Sequence, residues 1–207
     1  MAETHSPFRE NLRALQEDWA ETLETLKEMK EDALAGDLFA VLEYLTFCDE
    51  LFRSAYLSLK EIKESENDVP QQDKELLKEW RELEQEINDK LQKLNEEYQV
   101  LSDETLRRVD DAISQYSNHP SELSAPSLDS EIAQNLDKEL FLQELRDSLE
   151  SYREARENFI SEPEIDAKHK LPEDLGEELP EIDTILSQLD MAITACNSAL
   201  LANEIGD

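Results

Sequence analysis

The chain predicts an all-α fold: a bundle of about five mostly long antiparallel helices, with helix two central. Three observations carry the prediction. Apolar residues recur at alternating intervals of four and three along most of the 207 residues, which draws one stripe down each helix. Glycine occurs only three times, too seldom for the frequent turns of a sandwich or barrel. One segment is apolar around most of its circumference, and such a helix has to be surrounded.

The first helix starts at Ser6-Pro7, a capping hydroxyl followed by proline in the first turn. Phe8, Leu12, Leu15, Trp19, Thr22, Leu26, Met29 and Ala33 give its inward stripe. Gly36 ends it and Asp37 caps the next, so a tight hairpin of two helices is expected. The second helix, Asp37 to Glu64, is the densely apolar one. Its polar residues, Glu43, Thr46, Glu50, Arg53, Ser54 and Ser58, form a narrow stripe. It belongs either at the centre of the bundle or in a homodimer interface. The third helix carries Leu76, Trp80, Leu83, Ile87, Leu91, Leu94, Tyr98 and Leu101, then Val109, Ile113 and Tyr116. Between these runs, Ser102-Asp103-Glu104 reads as a fresh helix start, so a kink or restart is expected there.

The fourth helix, Asp129 to Ile160, turns Ile132, Leu136, Leu140, Leu145, Leu149, Tyr152 and Phe159 inward. The fifth begins near Pro180 and presents Ile182, Ile185, Leu189, Ala192, Ile193, Cys196, Ala199 and Leu200. That stripe predicts a docked helix rather than a free acidic tail. Loops near 65–73, 117–128 and 161–179 separate these helices within a single domain spanning 1–207.

Fifty-two acidic against twenty basic residues set the net charge at −32. Such a charge opposes direct contact with nucleic acid phosphates and with anionic membranes. No apolar run is read as approaching membrane-spanning length, and MAETHSPFRE has neither a basic nor an apolar leader region. The expectation is a cytoplasmic protein whose two cysteines, Cys48 and Cys196, are buried free thiols.

Chemistry-bearing motifs are sparse. Gly-rich phosphate loops, GxSxG and HExxH are absent from the sequence. His5, His119 and His169 fall in predicted termini or loops, and Trp19 and Trp80 lie on stripes as core anchors. Arg107, Arg108, Arg146, Arg153 and Arg156 read as solvated faces, Arg107 pairing with Asp111 and Arg153 with Glu150 and Glu157. Glu61 and Glu64, followed by Glu86 and Asp89, form an ExxE…ExxD pattern on two successive helices. It is similar to that of all-α nucleotide pyrophosphohydrolases of the MazG type, and the resemblance implies Mg²⁺ held between the four carboxylates. A chain this rich in Glu and Asp produces about one such match by chance.

The function expected from these features is non-enzymatic and without a cofactor: an acidic helical protein that binds a basic protein surface, in the manner of a chaperone, inhibitor or adaptor. Its partner-binding residues are placed at Glu173, Asp174, Glu177, Glu178, Glu181 and Asp183, in the stretch that has no Lys, Arg or His after Lys170. Two alternatives stand beside it: a DNA mimic that occupies the cleft of a nucleic-acid-binding protein, and the MazG-like hydrolase.

Overall fold

The computed structural model describes residues 7–66, 69, 74–117, 128–161 and 184–205. These form five helices: α1 Pro7–Leu34, α2 Leu38–Ser65, α3 Lys74–Ser117, α4 Leu128–Ser161 and α5 Thr184–Ile205. Ser6, Pro180, Ile182, the histidines and most of the expected loops lie outside the described residues, as do the side chains of Tyr116, Ile132 and Leu136.

The α1–α2 turn forms as the sequence predicts. Gly36 takes a φ of 94°, a left-handed conformation that only glycine adopts without strain. Asp37 then caps α2, its carboxylate accepting from the N–H groups of Phe39 at 2.8 Å and Ala40 at 3.3 Å. Two of the orphan donors at the helix start are thereby satisfied. Arg108 of α3 donates to the Gly36 carbonyl at 2.6 Å, tying the turn to the far end of α3.

Four helices close into a ring. α2 touches α4, α4 touches α5, α5 touches α3, and α3 returns to α2, while α1 packs on the outside along α2. Consecutive helices alternate in direction. Along α2 and α3, Gly36 lies by Arg108, Phe52 by Tyr98 and Lys63 by Glu84, an antiparallel register. Along α2 and α4, Phe39 meets Phe141 and Phe52 meets Phe159, so these two run parallel. Alternation makes this unavoidable: helices two apart in the chain share a direction.

Helix two is central. It is lined by α1, α3 and α4, and Val41, Leu42, Leu45, Cys48, Phe52 and Ile62 are all buried. Much of its apolar circumference is thus covered within one chain, with Phe39, Phe47, Tyr56 and Leu57 half-buried. On α1 the whole expected stripe is buried or half-buried. Trp19 and Trp80 are core residues, and Trp80 meets Phe8 edge to face.

Three expectations are corrected. First, α3 runs unbroken through Ser102, which is fully buried in mid-helix and caps nothing. Second, on α4 Leu140 is exposed and Leu142 is buried instead, so the inward stripe is Leu142, Leu145, Leu149, Tyr152, Arg156 and Phe159. The spacing of three and four is intact, in a register shifted from Leu140. Third, the segment Thr184–Ala202 of α5 does reach membrane-spanning length and composition, with a mean hydropathy of 1.3. Its Ile185, Leu189, Ala192, Cys196 and Ala199 are buried against the bundle. Met191 and Leu201 remain exposed.

Candidate functional site

Two features organise this molecule: a buried polar chain at the middle of the ring and a grooved acidic face outside it. The polar chain starts from Asp49 on α2, which is fully buried. One carboxylate oxygen accepts from Arg156 Nη1 of α4 at 2.9 Å, and the other accepts from the Tyr98 hydroxyl of α3 at 2.7 Å. Tyr98 in turn lies 2.8 Å from the Tyr152 hydroxyl of α4, which lies 2.9 Å from Ser102 Oγ of α3.

Donor counting fixes the sense of these bonds. Tyr98 has one hydroxyl proton and Asp49 takes it, so Tyr152 donates to Tyr98 and Ser102 donates to Tyr152. Every proton is directed toward the carboxylate. Burial pushes both phenols above their ordinary range, so neither gives up its proton at ordinary pH. The Arg156 guanidinium also sits over the rings of Tyr98 and Phe159, 5.5 and 5.6 Å from their centroids, a cation–π arrangement strengthened by exclusion of water.

The two tyrosines explain why α3 and α4 communicate at all. These helices lie diagonally across the ring and have few backbone contacts. Only long side chains with polar tips span that gap and still find partners. The arrangement corrects the reading of Arg156 as a solvated cation: it is 4% exposed and ion-paired. The remaining arginines are on the surface, where Arg153 keeps its expected partner Glu157 and the other expected pairings differ. Arg107 donates to the Asp103 carbonyl, and Arg153 pairs with Glu157 and with Asp190 of α5, while Arg146 is the cation beside Glu150.

The signal for this chain was in the sequence. Asp49 falls on the α2 stripe through Leu42, Leu45, Phe52 and Leu59, and Arg156 falls on that of α4. A charged residue at an apolar position, matched by the opposite charge on another stripe, is what a buried pair looks like before folding is known.

Outside, the narrow polar stripe of α2 faces solvent between two grooves. One, of about 220 Å³, lies between α1 and α2 and is lined by Asn11, Ala14, Asp18, Trp19, Ser54, Ser58 and Glu61 among others. The second, about 510 Å³, lies between α2 and α4 and includes Thr46, Glu50, Arg53, Ser54, Ser151 and Glu154. Ser54 lines both, so the grooves are neighbours across one helix. Asp18, Glu50, Glu61 and Glu154 against Arg53 make the lining anionic overall. A third depression, about 550 Å³, follows the first turns of α3 past Lys74, Leu77, Lys78 and Arg81. Its Lys78 and Arg81 are paired with Glu82 and Glu66.

The six carboxylates expected to bind the partner, Glu173, Asp174, Glu177, Glu178, Glu181 and Asp183, lie outside the described residues. The ExxE…ExxD quartet is not brought together. Glu61, Glu64, Glu86 and Asp89 are each exposed, and Asp89 accepts from Gln85 on its own helix. The inward positions beside them belong to Leu59, Ile62, Leu83 and Ile87, which turns the ExxE and ExxD spacings to solvent. Among the described residues no group of three or more Asp, Glu, His or Cys side chains is placed to hold a metal.

Cys48 and Cys196 are both free and buried. Burial pushes both thiols up, Cys196 to about 11 against a small opposing effect of Arg146, and Cys48 further. The thiolates a nucleophile or redox centre needs are therefore suppressed. No protein-family model, no curated protein and no solved structure matches this chain.

Proposed function

We propose that this protein is a non-enzymatic acidic bundle that binds a basic protein surface. The observation that carries the reading is the unbalanced charge. Fifty-two carboxylates less twenty cations leave thirty-two with no counter-charge anywhere in the chain. Many of the cations are already spent within the fold, as in Arg13–Glu17, Lys30–Glu97, Lys63–Glu84 and the buried Arg156–Asp49. What faces outward is anionic, and an anionic field of this size speeds encounter with a cationic partner and repels acidic ones.

Charge density favours a basic protein over the cleft of a nucleic-acid-binding enzyme. From Glu17 to Asp32, α1 carries seven carboxylates and two lysines, a net of five negative charges. At about 1.5 Å of rise per residue this is one net charge per roughly 4.5 Å. Duplex DNA presents one per about 1.7 Å. The helix therefore falls short of a DNA mimic by a factor of about 2.6.

Affinity capture from lysate at low and at high salt tests the proposal. The expected result is a basic protein retained at low salt and released by salt. Retention of no basic protein at low salt overturns it, and displacement of the partner by heparin or DNA would favour the mimic instead.

A further inference from the structure

We infer that the α1/α2 groove receives a lysine or arginine side chain from the basic partner, the segment that bears it lying across Trp19; this rests on the function proposed above. Three observations converge on that occupant. The first is size. At about 220 Å³ the groove is below the range of roughly 300–1,000 Å³ typical of small-molecule and cofactor sites, and it suits one long side chain. Its space exists because the facing residues Ala14, Ser54, Ala55 and Ser58 are small.

The second is charge. Asp18 and Glu61 line the groove and no Lys or Arg does, among the described residues. A cation entering there meets two carboxylates and the hydroxyls of Ser54 and Ser58, which between them accept the several N–H bonds that an ammonium or guanidinium has to make. The third is an unused donor. Trp19 lines the same groove, is 5% exposed, and its indole N–H has no acceptor among the described residues. A buried donor without a partner is costly. A lone ammonium or metal ion offers it nothing, since neither can accept a hydrogen bond. The indole nitrogen is itself covered, so a peptide segment that parts the groove enough to uncover it offers both halves at once, a cationic side chain for the carboxylates and a backbone carbonyl for the indole.

The test uses the full chain carrying Trp80→Phe, so that Trp19 is the sole tryptophan, and a dye-labelled oligolysine peptide as probe. The expected result is saturable binding by anisotropy that shifts Trp19 emission. Asp18→Asn with Glu61→Gln should weaken binding by roughly tenfold, the scale for losing close charge pairs. Glu24→Gln with Glu28→Gln, which removes two exposed charges from the same helix, should weaken it far less. Ser58→Phe, filling the groove, should abolish the emission shift while circular dichroism stays unchanged. Should Trp80→Phe not fold, the difference between wild type and Trp19→Phe supplies the same signal. Binding with unchanged Trp19 emission, or equal losses in the two double variants, overturns the groove assignment and leaves the basic-partner reading standing. No binding of oligolysine to wild type at low salt, together with an empty affinity capture, overturns both.

Discussion

Asp49 and Arg156 are the residues on which most depends for their size. Taking both charges out of water is expensive, and their mutual attraction with the tyrosine chain offsets that expense only while every partner is present. Arg156→Ala leaves Asp49 buried without its counter-charge and should destabilise by about 3–5 kcal/mol in urea unfolding. Asp49→Leu combined with Arg156→Met should recover most of the loss, since an apolar pair of similar volume needs no solvation. If the double variant is no more stable than the single, the pair is not coupled as described. Tyr98→Phe removes the one hydroxyl joining Asp49 to Tyr152 and should cost about 1–3 kcal/mol. That is a melting-temperature drop of roughly 2–4 °C per kcal/mol at this chain length.

A pH effect belongs to the same scale. The Cys196 thiol has an ordinary value near 9 and is raised by burial to about 11. The folded state holds the neutral thiol, and the unfolded state releases the proton earlier. Its contribution is therefore present below pH ~9 and lost as pH rises to ~11. The urea midpoint should be level from pH ~7 to ~8.5 and fall beyond ~9, and Cys196→Ala should make that fall shallower even though it loses packing, the Cys48 thiol, which burial also raises, carrying part of the rest. A slope identical to wild type would assign the alkaline loss to other groups.

At the scale of elements, nearly all of the helices were legible because their signals are local. Gly36 and Asp37 show why. A residue that alone tolerates positive φ, followed by one whose carboxylate caps a helix, specifies a turn without reference to anything distant. A Cβ added at Gly36 meets nothing within 4 Å, so Gly36→Ala acts through backbone conformation alone and should cost about 1 kcal/mol. Asp37→Ala should cost about the same, through the lost cap. What was not legible needed knowledge of neighbours. Ser102 has the chemistry of a cap and the position of a core residue, and only the Tyr152 hydroxyl across the ring decides between them. Likewise Leu140 and Leu142, five and three residues before Leu145, have similar local claims, and only the packed bundle buries Leu142 and leaves Leu140 exposed. The grooves beside α2 were half legible. The polar stripe that lines them, Ser54 and Ser58 included, was read from spacing, but their depth also comes from Ala14 on α1, Ala55 on α2 and Ala155 on α4, which carry no motif.

For the whole molecule, one number governs two opposite responses. A net charge of −32 presses the folded state apart, because folding brings like charges closer than they lie in the unfolded chain. Salt relieves this repulsion, shrinking the screening length from about 30 Å at 0.01 M to about 3 Å at 1 M. The isolated protein should therefore melt higher in salt, by roughly 5 °C over that range. The surface ion pairs do not reverse the sign. They are few against the excess, mostly exposed, and worth about 0–1 kcal/mol each. Binding should move the other way, because the field that destabilises the fold is the one that attracts the partner, and screening weakens it. Differential scanning calorimetry and partner titration on one salt series separate the two. Stability rising while affinity falls is the expected pair of trends. If both rise together, the acidity serves persistence of the fold in concentrated salt, and the partner is held by something other than charge.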